Sequence, residues 1–385
     1  MTSPDAALIV LQGDSLAARP GVVDGYNRLV ASGVLRHVVA LPAEGPSGVA
    51  LGDAYWSGAL KHVRDFDVSL LIFHYYHAPS FPDPRPFVAR FRRLANAPFV
   101  VSTLGDAFMN GFLNRPNVPR SFLQAASQSD LVTLTSMGAL ADYVARRTPA
   151  PIVLMPNAAC QVRFGATAAN RAVEPSREFD VVFIGSRNAP RNPLRPYWHA
   201  ARRRAQLVNQ LGRRFGSRFA VFGRGWKGFV GVKGPIPFGS QVSAARRGRV
   251  VVGGVPFSRE RYYTSNRPFM QMTAGVPFVD ARVDGVDTLL TPDRDWFLAD
   301  DAAIVDVVER LLERSDSELE QVGASGASRV LRTHMEHHRT AAIAENVARL
   351  RMRRTGGSRV QPHLPFFTPE TDLEREHEHA TRNWS

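Results

Sequence analysis

Residues 180–187 read Asp180-Val181-Val182-Phe183-Ile184-Gly185-Ser186-Arg187, and this stretch decides the fold class. An apolar run without alternation is what a strand buried on both faces of a parallel sheet requires. A long Arg-rich helical pattern around Tyr197–Phe215 follows. The same order of strand then helix extends in both directions. Upstream, the apolar runs are Ala7–Leu11, Val38–Leu41, Val68–Phe73, Phe99–Ser102, Leu131–Leu134 and Pro151–Met155. Between them lie helical patterns at Val22–Ser32, Pro86–Ala95 and Met137–Arg147. Downstream, Phe219–Gly223, Arg249–Gly253 and Pro277–Asp280 read as strands. The helices there are predicted around Pro268–Ala274, Ala302–Arg314, Asp316–Leu331 and His337–Arg353. Strand and helix in alternation predict doubly wound α/β sheets, and a chain of 385 residues suits two of them. The expected division is a first Rossmann-like domain over 1–156, a linker over 157–178, a second such domain over 179–353, and a tail over 354–385. Ligands of open α/β sheets bind at the carboxyl ends of the strands, so the loops after the strands carry the functional argument.

Composition narrows the class. At 44% hydrophobic and 22% charged residues the chain has material for packed cores and no signature of disorder. The net charge of +13 invites a nucleic-acid partner. Only three of the 48 basic residues are Lys (Lys61, Lys227 and Lys233), which leaves 45 Arg. That skew, with abundant Ala, Gly and Pro, resembles a coding bias spread along the whole chain, and it speaks against a nucleic-acid interface. The single Cys160 allows no internal disulfide and points to a reducing compartment. No run of 18 apolar residues exists, so no membrane span is expected. The start, Met1-Thr2-Ser3-Pro4-Asp5, lacks the basic onset of a signal peptide, and a cytoplasmic location is the expectation.

Three loops of the second half concentrate the chemistry. Gly185-Ser186-Arg187 follows a strand, and a glycine there lets backbone approach a phosphate that Arg187, with Arg191 nearby, can hold. Gly223-Arg224-Gly225-Trp226 again brackets an arginine with glycines at a strand end, and Trp226 suits either stacking on a base or packing the loop. Tyr262-Tyr263-Thr264-Ser265-Asn266-Arg267-Pro268 opens a helix, with Ser265 or Asn266 as its cap, Pro268 in its first turn and Arg267 beside its positive end. Neither a Walker loop nor a G-x-G-x-x-G fingerprint is present. In the first half, His74-Tyr75-Tyr76-His77 and Thr103-Leu104-Gly105-Asp106 end strands at the cleft side. Asp106 and His74 are the candidates for a general base or an acceptor-orienting group, with Asp14 a third. Phe73, Tyr75 and Tyr76 suit both sugar stacking and core packing. His334, Glu336, His337 and His338 lack the H-E-x-x-H order of a zinc site, and the triplets Asp65-Phe66-Asp67 and Asp293-Arg294-Asp295 are not placed to hold a metal on phosphates. No metal site is expected.

The succession Phe-x-Gly-Ser, Phe-Gly-Arg-Gly-Trp, Tyr-x-Ser-x-Arg-x-Phe with Ala-Gly-Val-Pro, and Thr333-His334-Met335-Glu336-His337-His338-Arg339 resembles the C-terminal half of CgeB-like glycosyltransferases over about residues 178–345. Met155-Pro156-Asn157 resembles the Pro-Asn that precedes the linker in that superfamily. The resemblance implies a GT-B fold, two Rossmann-like domains across a cleft, and transfer of a sugar from a nucleoside diphosphate to an acceptor of unidentified class (glycan, lipid-linked, protein or small molecule). It implies that Gly185, Ser186 and Arg187 touch the donor phosphates and that Arg224, Gly225 and Trp226 lie near base or ribose. Tyr263, Ser265, Asn266 and Arg267 would hold the diphosphate. The donor is a substrate, and no cofactor is implied. Met270 departs from the family: such enzymes usually carry there a Glu that bonds the ribose, which a thioether cannot replace. Gln271, one residue on, is the possible substitute, and a binding protein without turnover is the second reading.

Overall fold

The computed structural model describes residues 4–13, 15–43, 52–76, 81–107, 109–110, 115–165, 177–188, 192, 197–254 and 260–354. The chain opens with β1 (Asp5–Leu11), α1 (Pro20–Ala31), β2 (Leu35–Pro42), α2 (Asp53–Asp65), β3 (Leu70–His74), α3 (Arg85–Leu94) and β4 (Phe99–Leu104). A short hairpin, β5 (Met109–Asn110) and β6 (Arg115–Pro116), precedes α4 (Arg120–Ala126), β7 (Leu131–Leu134), α5 (Ala139–Ala145) and β8 (Ile152–Leu154). Six parallel strands form one sheet in the order β2-β1-β3-β4-β7-β8. Its central strands are buried from end to end, which is why their sequences show no alternation.

The second unit runs β9 (Phe179–Ile184), α6 (Tyr197–Phe215), β10 (Phe219–Phe222), β11 (Val232–Gly234), α7 (Gln241–Ala245), β12 (Gly248–Val252), α8 (Asn266–Met272), β13 (Phe278–Ala281) and β14 (Phe297–Ala299). Three helices follow: α9 (Ile304–Leu312), α10 (Asp316–Thr333) and α11 (Glu336–Arg354). Its six strands are again parallel, in the order β11-β10-β9-β12-β13-β14. The two edge strands escaped the sequence reading. In β11 two of three residues are exposed, so no apolar run marks it, and β14 is only three residues long. α10 starts at a capping box, with Ser315 and Glu318 bonding each other's backbone N–H.

Two segments differ from the expected division. Residues 157–165 are packed structure: Ala159 bridges to Met335, Gln161–Gly165 forms one π-helical turn, and Gln161 donates to the Gly21 carbonyl at 2.7 Å. The rest of the expected linker, 166–176, and the tail from 355 lie outside the described residues. α11, assigned by its sequence position to the second unit, lies against α1 of the first. Gly25 of α1 leaves room for Thr340, and Arg351 pairs with Asp5 at 3.0 Å. Among the described residues no helix is long and apolar enough to cross a membrane.

Candidate functional site

In the second sheet the strand order reverses between β9 and β12, the switch point at which open α/β sheets leave a crevice. The loop after β9 and the loop after β10 are zipped together there. Gly185 N–H donates to the Phe222 carbonyl and Arg187 N–H to the Arg224 carbonyl, both at 2.8 Å, and Arg224 N–H donates to Ser186 Oγ at 3.2 Å. Gly223 (φ +144°) and Gly225 (φ +84°) make this possible: a Cβ on Gly223 would lie 2.3 Å from the Gly185 oxygen, and one on Gly225 2.5 Å from the Arg187 oxygen. These glycines therefore serve loop against loop, not loop against ligand as the sequence suggested. Trp226 is corrected likewise. It is 1% exposed, donates its indole N–H to the Gly185 carbonyl at 2.6 Å and packs edge-on against Phe183 and Phe229. It braces the loop from below and offers no face to a base.

Above this platform stand arginines. Arg267, at the second position of α8, is half-buried and makes no hydrogen bond or ion pair with any described residue. A Cβ on Gly185 would lie 3.1 Å from its Nη1, so the guanidinium rests on the glycine loop. Arg204 reaches in from α6 and ties both sides of the switch point, donating to the Ser186 carbonyl at 2.8 Å and the Gly254 carbonyl at 3.1 Å. Burial first, then repulsion from Arg267, draws its pKa down to about 9. Arg187 lies over the Phe229 ring at 5.2 Å with its Nε enclosed and unpartnered, and Arg224 is exposed at the loop tip.

The remaining candidates of α8 divide. Ser265 occupies the N-cap but its side chain makes no cap bond, and Asn266 is half-buried beside it. Gln271 is fully buried, donating to the Ile184 carbonyl at 3.1 Å and to Gln241 at 3.2 Å; it holds the end of β9 and does not reach a ligand. Met270 is core, 3% exposed.

Opposite, Asp106 follows β4 and is exposed. Its Oδ1 accepts from Asn157 Nδ2 at 2.9 Å and from the Tyr263 hydroxyl at 3.1 Å, and Asn157 also donates to the Thr264 carbonyl. The two units thus meet through the segment that leads into α8. Burial and the neighbouring Asp106 raise the Tyr263 phenol well above its ordinary pKa, so it stays a donor. His74 is only 3% exposed, with Nδ1 3.4 Å from the Tyr26 hydroxyl and its ring edge-on to Tyr75. Phe73 and Tyr76 pack around Trp56, whereas Tyr75 is half-buried in a left-handed conformation (φ 59°), its N–H held by Thr103 Oγ1 at 2.9 Å. Asp14, His77 and Arg191 lie outside the described residues. Arg204 and Tyr197, whose phenol senses Asp106, went unread. The signal for Arg204 was present: it interrupts the apolar stripe Ala200, Ala201, Ala205, Val208 on α6, where a charge must have a partner.

The His-rich motif is a buried clip. Arg339 donates to the carbonyls of Pro156 (2.7 Å), Asn157 (2.9 Å) and Thr333 (2.8 Å) and to His334 Nδ1 (2.9 Å). His334 then carries its proton on Nε2, facing the Leu289 carbonyl at 3.0 Å. The Pro-Asn dipeptide and the histidine motif are therefore two halves of one contact. Of the acidic triplets, Asp67 pairs with Arg36, and Asp295 is buried, accepting from Ser325 and the Thr291 N–H.

A protein family described as "Glycosyl transferase-like" matches residues 202–345. No curated protein matches the chain. Among solved structures, Anabaena Alr3699/HepE in complex with UDP and glucose superimposes with a TM-score of 0.53 at 11% identity, covering 89% of this chain and 99% of that one. The α,α-trehalose 6-phosphate synthase of Burkholderia multivorans gives 0.56 at 11% identity, covering 93% and 100%. Sucrose-phosphate synthase of Thermosynechococcus elongatus gives 0.54 at 16%, covering 92% and 100%. With two parallel six-stranded sheets meeting across a cleft, the chain has the GT-B fold of paired Rossmann-like domains.

Proposed function

We propose that the protein is a glycosyltransferase that moves a sugar from a nucleoside diphosphate, bound in the crevice of the second sheet, to an acceptor on the first. The observation that carries this reading is Arg267: a half-buried guanidinium, without a hydrogen bond or ion pair among the described residues, resting on the Gly185 loop at a switch point. A diphosphate is the ligand that satisfies it, with Arg187 in support. The family match over 202–345 and a fold neighbour crystallised with UDP and glucose support the same class. The order of motifs favours the CgeB-like branch, and the single, buried Cys160 fits a cytoplasmic setting.

In the reaction the bond from sugar C1 to the diphosphate oxygen breaks, its electron pair leaving with the diphosphate, while an acceptor oxygen bonds C1. The arginines stabilise the charge that builds on the leaving group, the role a metal would otherwise fill. The acceptor proton goes to Asp106 if configuration inverts, or to the leaving oxygen if it is retained, Asp106 then orienting the acceptor. Met270 and the buried Gln271 supply no acidic partner for a ribose, which favours as second reading a nucleotide-sugar-binding protein without turnover.

A thermal-shift screen of UDP, GDP, ADP, TDP, CMP and their sugars against wild type and Arg267→Ala tests the site. At a hundredfold excess over Kd the fitting nucleotide stabilises the wild type by about 2.7 kcal/mol, and Arg267→Ala loses that shift. No shift with any nucleotide overturns the reading; a shift without transfer or hydrolysis on long incubation selects the second one.

A further inference from the structure

The first sheet has its own switch point, between β1 and β3, and it too presents a cation that makes no ion pair with a described residue. Arg19 stands between the 3-10 turn at Leu16–Ala18 and α1, half-buried, and makes no hydrogen bond or ion pair with any described residue. Its guanidinium lies 5.3 Å from the centre of the Tyr75 ring. Tyr75 is itself held in a left-handed conformation by Thr103, so the stacking platform is built rather than incidental. The turn that delivers Arg19 is pinned from the other side, Arg163 donating to the Ala17 carbonyl at 3.0 Å. Glu336 is the nearest opposite charge that Arg19 bears on; it accepts a hydrogen bond from the Cys160 thiol and lies over Gly21, where a Cβ would sit 2.0 Å from its unpartnered Oε2, and it makes no ion pair with Arg19. Gln12, on the neighbouring strand end, adds an enclosed side-chain carbonyl without a partner.

Resting on the transferase reading, we propose that Arg19, on its Tyr75 platform, holds an anionic group of the acceptor, a phosphate or carboxylate, so that the acceptor is charged. A bidentate guanidinium supplies two donors to such a group, and partial burial strengthens them. A neutral sugar would offer the guanidinium no charge-assisted partner.

Inorganic phosphate is the probe, titrated calorimetrically into the full chain at constant ionic strength, with and without saturating UDP. UDP blocks any phosphate bound at Arg267, so the expected result is one equivalent of phosphate still binding to the UDP-loaded protein. Arg19→Gln should weaken that equivalent about tenfold or more, with Arg19→Lys intermediate and circular dichroism unchanged. Arg267→Ala should lose UDP and keep the phosphate. Competition by glucose 6-phosphate, against sedimentation with vesicles containing phosphatidic acid, tells a soluble anionic acceptor from a lipid-linked one. Absence of phosphate binding at saturating UDP overturns the proposal. So does Arg19→Gln weakening UDP, which would make Arg19 a donor ligand. If UDP fails to bind at all, the transferase reading falls, while phosphate binding that depends on Arg19 still decides this proposal alone.

Discussion

The two sheets have the same number of parallel strands and different switch points. The first runs β2-β1-β3-β4-β7-β8 and reverses between β1 and β3; the second runs β11-β10-β9-β12-β13-β14 and reverses between β9 and β12. Each has a glycine after a strand in the same unusual conformation, Gly13 at φ +140° and Gly223 at +144°. Their surroundings differ. A Cβ on Gly13 would meet the Ala18 Cβ at 3.2 Å, a tight side-chain contact, whereas one on Gly223 would press on the backbone of the Gly185 loop at 2.3 Å. The second crevice is a rigid platform of interlocked backbone carrying arginines. The first is looser and is lined by side chains: Tyr75, Arg19 and Asp106. On the proposed reading, a nucleoside diphosphate, a fixed shape that rewards preorganisation, belongs on that rigid platform, and the acceptor on the other side.

The contact that joins the two units is the place to break them apart. Arg339→Met keeps volume but strips three carbonyls and His334 of their donor. It should cost roughly 3–5 kcal/mol, read as a lowered urea midpoint. A loss under about 1 kcal/mol would mean that the other contacts of α11, its packing on α1 and the Arg351–Asp5 pair, hold it to the first unit without the clip. The glycine pair tests the asymmetry directly. Gly223→Ala, driven into backbone that cannot move aside, should cost roughly 2–4 kcal/mol and abolish nucleotide binding, while Gly13→Ala, facing an unfavourable φ and one tight side-chain contact, should cost about 1–2 kcal/mol. Equal losses would sink the contrast.

Acid should loosen the same clip. His334 is held well below its ordinary pKa by burial and then Arg339, and His338 is held down to about 4 by burial and then His337. The unfolded chain takes up these protons near pH 6.5 and the folded chain does not. Stability should therefore fall as pH drops below 6.5, by up to about 1.4 kcal/mol per pH unit for each histidine. Glu336 acts with opposite sign: burial raises its pKa, so the folded state protonates first and gains stability as pH falls toward its ordinary value. Urea midpoints at pH 7.5, 6.5 and 5.5 should decline, and a rise would assign the clip to Glu336 instead. The smallest effect belongs to Tyr263→Phe. It removes one hydrogen bond to an exposed carboxylate and should cost about 1 kcal/mol or less. A larger drop in transfer than in stability would show that the tyrosine also sets Asp106 for the acceptor.

Most strands were legible because burial on both faces of a parallel sheet writes itself as an unbroken apolar run; Leu131–Leu134 and the helix Tyr197–Phe215 even kept their predicted ends. Trp226 and Gln271 were chosen by sequence for the ligand, yet both spend their polar atoms on carbonyls at the end of β9 and just beyond it. A strand end needs its backbone satisfied whether or not a ligand is near, and a string of residues cannot show which debt a side chain settles. Arg19 lay in an unremarked turn, since nothing local announces that its guanidinium lies against a ring fifty-odd residues away.

The sequence by itself determined two parallel sheets and pointed to the loops at their strand ends, Arg267 among them, because periodicity, glycine and proline act locally. Only the tertiary structure decided which glycines touch backbone, that α11 returns to the first unit, and that Pro156-Asn157 and Arg339 are one joint. Those outcomes depend on distances between segments far apart in the chain, and pairing across such separations is set by packing of the whole fold rather than by any local pattern.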